Sequence, residues 1–104
     1  MTLFTAVGGS NAQVPMTFAG LPGRYRQVTA LHWSLSADPA AGVLLTIAST
    51  GVNTYTVYVT RGGPGTLDFQ EPFTGGLGAD VVVTLGGGGG TIIGTLNVYV
   101  ESTS

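Results

Sequence analysis

The chain has 104 residues and a net charge of −2, and only 8% of its residues are charged, against roughly 25% in an average protein. The length fits one domain, and three scattered arginines (Arg24, Arg26 and Arg61) exclude the basic patch of a nucleic-acid-binding protein. Having no cysteine, the chain forms neither disulfides nor thiolate metal sites, and no stretch is apolar for long enough to span a membrane.

The pattern of breaks and apolar segments predicts eight short strands. Eighteen glycines and five prolines separate segments rich in Val, Ile, Leu, Thr, Tyr and Phe, which is strand composition. No window has the apolar spacing of a helix. The predicted strands are 2–7, 12–18, 25–36, 43–50, 53–60, 65–70, 79–85 and 91–101.

Alternation along these strands indicates which side chains are buried, because successive side chains of a strand face opposite sides of the sheet. In the third strand, Leu31, Trp33 and Leu35 form the apolar face, with Trp33 near the centre of the core. The opposite face takes Val28, Ala30, His32 and Ser34. In the later strands the predicted inward positions are Tyr55, Val57, Val59, Leu67, Phe69, Val81, Val83, Leu85, Ile92, Leu96, Val98 and Val100.

The predicted fold class is all-β, an antiparallel β-sandwich of the jelly-roll kind with about eight short strands, forming a single domain over residues 1–104. Strand number and length favour a jelly roll over an immunoglobulin-like sandwich. A core Trp on the third strand fits the immunoglobulin arrangement weakly, and no Cys pair supports it. Residues 1–20 are expected to form an arm or edge segment used in assembly, because Pro15 confines the second strand to an edge.

Candidate catalytic and metal-binding groups are few. His32 is the single histidine, and without a nearby acidic residue in sequence it is interpreted as a strand residue and not as a general base or metal ligand. Asp68 and Glu71 are two carboxylates, which is the residue type that glycosidases use as acid and base. Because they lie just before Pro72, we interpret them as solvated turn residues. Together with Asp80 they form a weaker candidate for a calcium site. We expect no catalytic residue, no cofactor and no metal ion.

The glycine run from Gly86 to Gly90 is not a phosphate-binding loop, because the chain has no lysine and a strand follows the run. It is predicted to be a hairpin loop. The candidate interface residues are the one basic spot of the chain, whose arginines could bind a partner carboxylate, and two further tyrosines, a residue type common at protein interfaces. They are Arg24, Tyr25, Arg26, Tyr58 and Tyr99. The outer side of the last strand, with Ile93, Thr95, Asn97 and Tyr99, is a further face that a neighbouring subunit could cover.

A series of structural motifs resembles small structural proteins of tailed bacteriophages. The motifs span roughly residues 25 to 100 and are Val28–Ser36, Asp38–Gly42, Leu44–Ile47, Gly65–Phe73, Leu85–Gly88 and Gly94–Val98. The resemblance implies a jelly-roll-like virion protein of the capsid decoration (cement) type, made in the host cytoplasm and bound to the outside of the head. It also implies a homo-oligomer, commonly a trimer, that contacts the major capsid protein. No site residue is carried over.

Low charge and a mean hydropathy of +0.40 agree with an assembly protein, because a chain with few charges has little electrostatic repulsion between its copies. Two other interpretations stay open: a receptor- or carbohydrate-binding head domain of a phage fibre, and a tail or neck component. Neither nucleic acid nor a membrane is an expected partner, and an enzyme is not expected.

Overall fold

The computed structural model describes residues 2–104 and has a strand at each of the eight predicted places. The strands are β1 (Thr2–Ser10), β2 (Val14–Phe18), β3 (Tyr25–Leu35), β4 (Val43–Ser49), β5 (Tyr55–Val59), β6 (Gly65–Thr74), β7 (Val81–Leu85) and β8 (Ile93–Thr103). Residues 2–104 include no helix of the length and apolarity needed to cross a membrane.

The strands form two four-stranded antiparallel sheets. The first sheet has the order β1-β8-β3-β6, and the second has the order β2-β7-β4-β5. Only β4 and β5 are neighbours both in sequence and in a sheet, so every other connection leads from one sheet to the other. This double Greek-key arrangement is a jelly roll, and the predicted fold class is therefore confirmed.

The core lies between the inward faces of the two sheets. Its largest fully buried side chains come from both of them: Leu31 and Leu96 from the first sheet, and Leu45, Ile47 and Leu85 from the second. Burying one such side chain contributes about 1.5–3 kcal/mol to stability. The predicted alternation is confirmed at these positions in β3, β7 and β8.

A bulge in β3 overturns the predicted alternation at one end of that strand. Val28 pairs with Val100 and Ala30 pairs with Tyr99, so Thr29 is the extra residue on β3. The insertion reverses the side to which preceding residues point. Val28 is consequently in the core with no exposed surface, and the prediction that it shares the outer face of His32 was wrong.

Trp33 lies at the margin of the core, and not at its centre as predicted. The indole is partly buried and lies against Gly65, the residue directly opposite it on β6. A Cβ atom at Gly65 would overlap the Cε2 atom of the ring. Glycine at this position therefore provides the space in which the indole packs.

The extent of β6 and the role of the 86–92 loop differ from the prediction. β6 continues past Gln70 to Thr74 and includes Pro72, which is tolerated because residues 69–72 of this edge strand have no partner on β3. The 86–92 loop joins β7 of the second sheet to β8 of the first, so it is a crossover and not a hairpin. The Asn11 side chain fixes this loop by accepting a 2.9 Å hydrogen bond from the Gly89 amide.

Candidate functional site

The outward face of the second sheet has no charged side chain on its strands. We call it the Thr-rich face. Its central row runs across four strands from Pro15 through Thr84 and Thr46 to Thr56, as the pairing register shows. Further outward side chains are Thr17, Leu44, Ala48, Tyr58 and Val82.

Two exposed apolar side chains stand together at one end of the Thr-rich face. Leu44 on β4 is paired with Tyr58 on β5, and they are 51% and 64% exposed. The ring of Tyr58 lies over Gly42, where a Cβ atom would overlap Cζ. Glycine at position 42 thus lets the ring lie close to the backbone while most of its surface remains available to a partner.

The outward face of the first sheet is more polar and has a shallow groove. Its central row reads Thr5, Asn97, His32 and Thr66, and the next row includes Tyr99, Ala30 and Asp68. The hydroxyl of Thr5 donates a 2.7 Å hydrogen bond to Oδ1 of Asn97.

The groove has a volume of about 490 Å³ and is lined by Thr29, Ala30, His32, Asp68, Phe69 and Tyr99. The rings of His32 and Tyr99 meet edge to face, with centroids 5.4 Å apart. Ala30, which follows the bulge residue Thr29, is the smallest residue of the lining. The groove therefore combines aromatic rings with a carboxylate, a mixture that suits a small polar ligand.

The structure does not bring the five predicted interface residues together. Arg24, Tyr25 and Arg26 lie at the end of the sandwich where the 19–24 and 75–80 loops meet. The Nε atom of Arg26 donates a 3.0 Å hydrogen bond to the carbonyl of Ala19. Tyr58 is on the Thr-rich face, and Tyr99 is on the opposite face of the molecule, beside the groove.

The three carboxylates considered for calcium have separate surroundings. Asp68 and Glu71 are on β6 within the strand and not in a turn. Asp80 precedes β7, and its Oδ1 atom accepts a 2.7 Å hydrogen bond from the Gly20 amide. Within residues 2–104, no group of three or more His, Asp or Glu side chains could hold a metal ion.

Sequence reasoning missed the Thr-rich face. Its signal was present in the uncharged outward positions of strands 43–50 and 53–60, and in Val82 and Thr84 of strand 79–85. Recognising that these positions form one surface requires the pairing of β7 with β4, which joins residues about 38 positions apart along the chain. No local pattern gives that pairing.

Comparisons with known proteins add little. No family model matches the chain, and no curated protein matches it. One solved structure with some likeness is a ruminal GH26 endo-beta-1,4-mannanase, with a TM-score of 0.41 and 18% sequence identity. The likeness covers 92% of this chain but only 19% of the mannanase chain, and no functional argument is based on it.

Proposed function

We propose that this protein is a non-catalytic structural protein of a phage virion, acting as a capsid decoration protein that binds the outside of the head and stabilises it. The observation that carries the proposal is the Thr-rich face. A soluble surface normally mixes charges of both signs, whereas the strands of this face carry none and include two exposed apolar side chains, Leu44 and Tyr58.

An uncharged sheet face is suited to lying against another protein. Burying it removes no ionic group from water, so docking avoids the large desolvation cost of an unpaired charge. Threonine hydroxyls on the face can donate and accept hydrogen bonds across an interface. In this proposal the major capsid protein covers the Thr-rich face, and Tyr58 is one of the contacting residues.

The resemblance to small structural proteins of tailed phages supports a location on the virion. It also supports a trimer, because decoration proteins are commonly trimers. A rigid jelly roll suits a brace between capsid subunits, because both of its sheets pack on one continuous core. A tail or neck position would use the same uncharged face.

The test uses particles purified from lysates of the strain that carries the gene. We expect the chain in the particle fraction by mass spectrometry and on the head by immunogold labelling. Heads from a deletion strain should release DNA at a lower temperature than heads to which the purified chain has been added back. Particles that lack the chain, or deletion heads that are equally stable, would overturn the proposal.

A matched pair of variants tests the docking face. Thr56 and Thr66 are both exposed threonines on edge strands, but they lie on the outward faces of different sheets. Thr56→Lys places a charge in the proposed interface and should lower affinity for deletion heads about tenfold or more, while Thr66→Lys should bind normally. Equal binding by both variants would exclude the Thr-rich face as the docking surface.

The groove supports a second candidate function, a carbohydrate-binding head domain. Tyr99 and His32 offer ring surface, and Asp68 offers acceptors for hydroxyl groups. Binding on a glycan array that Tyr99→Ala abolishes and Tyr58→Ala leaves intact would establish this function. A blank array, with normal binding to heads, would favour decoration.

A further inference from the structure

A jelly roll has four edge strands, and in this protein three of them carry features that discourage pairing with another chain. The edges are β1 and β6 in the first sheet, and β2 and β5 in the second. Strand β6 has Asp68, Glu71 and Pro72, while β2 is five residues long and includes Pro15. Strand β5 is also five residues long. Short strands, charges and prolines are the usual protection of an exposed edge.

Strand β1 has none of these features. It is nine residues long and contains neither a proline nor a charged residue. The first charged residue of the whole chain is Arg24, so no nearby charge in sequence repels a second copy. Its register with β8 is continuous from Thr2 to Val7 and becomes irregular only between Val7 and Ser10.

Apolar side chains are exposed on both sides of this edge. Leu3 and Val7, on the outer face of the sheet, are 48% and 65% exposed. Phe4 points to the core side and contacts Phe18 edge to face at 5.0 Å, yet it is 40% exposed. Within the described residues, β8 is the only strand that pairs with the Thr2–Val7 stretch, so one side of its backbone is open.

From this contrast we infer that β1 pairs antiparallel with β1 of a second copy, joining two first sheets into one eight-stranded sheet. This inference deepens the proposed assembly role and rests on it, but it uses an edge and not the Thr-rich face, and it gives a twofold dimer where the resemblance implies a trimer. A second copy is the occupant because β1 is the one edge of this chain, among those described, that is long, neutral and free of proline. Pairing β1 with itself forms a closed, twofold contact.

The geometry also fixes the register. A twofold axis between antiparallel strands runs perpendicular to the sheet and passes through a pair of identical residues. Placing the axis at Thr5 sets Leu3 opposite Val7 of the other copy and Phe4 opposite Ala6. The exposed apolar side chains then meet each other, the large ring meets a small side chain, and Thr5 meets Thr5, a favourable cross-strand pair.

Cysteine crosslinking tests the register directly, since the chain has no cysteine of its own. Opposed residues in antiparallel strands have Cα atoms about 4.5–5.5 Å apart, within the range of a disulfide. Under mild oxidation, Thr5→Cys should crosslink to itself most efficiently of residues 2–7. Leu3→Cys and Val7→Cys should each crosslink poorly alone but well when mixed. A flat profile across residues 2–7 would overturn the inference.

A matched set of lysine substitutions tests the contact itself. The double variant Leu3→Lys/Val7→Lys should raise the dimer dissociation constant by about tenfold or more, as measured by sedimentation. The control Leu77→Lys/Val52→Lys changes the same residue types at exposed positions outside the strands and should dimerise normally. Circular dichroism checks that each variant is folded.

Hydrogen exchange gives a readout that does not depend on a variant. In the unmodified protein, β1 amides that point away from β8 should become protected as concentration rises through the dissociation constant. A monomer at all concentrations, or a trimer with these amides unprotected, would overturn the pairing. The same measurements distinguish failure of this inference from failure of the proposed function. Dimers that do not bind heads would contradict the decoration role but not the pairing of β1. Monomers that bind heads would contradict the pairing but not the decoration role.

Discussion

Adding one methyl group at Gly65 should destabilise the fold through Trp33. The Cβ atom of Gly65→Ala would overlap the indole, so either the ring or the β6 backbone must move. Overpacking of this kind costs about 1–3 kcal/mol. Alanine is itself better than glycine in a strand by roughly 0.5–1 kcal/mol. The net loss in free energy of unfolding is therefore about 0–2.5 kcal/mol.

Two controls separate the cost of overpacking from the benefit of alanine over glycine. Gly9 is also in a strand, and a Cβ atom there would meet nothing within 4 Å, so Gly9→Ala measures the alanine benefit without a clash. The double variant Trp33→Leu/Gly65→Ala removes the ring that the methyl group strikes. In a double-mutant cycle, the cost of Gly65→Ala should largely disappear when Trp33 is already replaced.

Urea unfolding followed by circular dichroism is the assay for the whole cycle, because Trp33 is the single tryptophan and the Trp33→Leu variants have no tryptophan fluorescence. In the variants that keep Trp33, the fluorescence emission reports in addition on the surroundings of the indole. The native emission of Gly65→Ala should shift to longer wavelength as the indole is displaced toward solvent. In a domain of this size, the melting temperature should fall by roughly 4–8 °C per kcal/mol lost. Unchanged emission together with unchanged stability would refute the packing of Trp33 on Gly65.

Three further predictions concern the core and the loops. Leu31→Ala should lower the free energy of unfolding by about 2–5 kcal/mol, whereas Leu44→Ala, on the outer face, should change it by less than about 0.5 kcal/mol; equal losses in urea titrations would contradict the assigned faces. Val28→Thr should cost about 1–3 kcal/mol in the same assay, because the bulge places the new hydroxyl in the core, and a neutral result would mean that Val28 faces outward. Asp80→Ala removes the acceptor of the Gly20 amide and should cost about 0.5–1.5 kcal/mol, with faster hydrogen exchange at that amide; unchanged exchange there would show that the bond does not hold the loop.

The sequence by itself determined the strands, their number and most of their buried faces. Alternation of apolar and polar residues is a local signal with a period of two, so Leu31, Val83 and Val98 could be assigned to the core without knowing their partners. Glycine and proline marked the ends of the strands for an equally local reason, since they disturb the backbone where they stand.

Only the tertiary structure decided the features that depend on which strands pair with each other. The bulge at Thr29 reverses the side of Val28, and it is visible only when β3 is aligned with β8. Trp33 has the sequence pattern of a core residue, but only the structure shows that it lies at the margin, packed against the glycine opposite it on β6. The candidate surfaces depend on pairing in the same way. The Thr-rich face is assembled from β2, β4, β5 and β7, which are spread over residues 14–85, and β1 becomes a free edge because β8 covers one side of it alone. Hydrogen-bonded neighbours in a sheet are chosen by the whole fold, and a period-two pattern contains no information about which strand lies beside which.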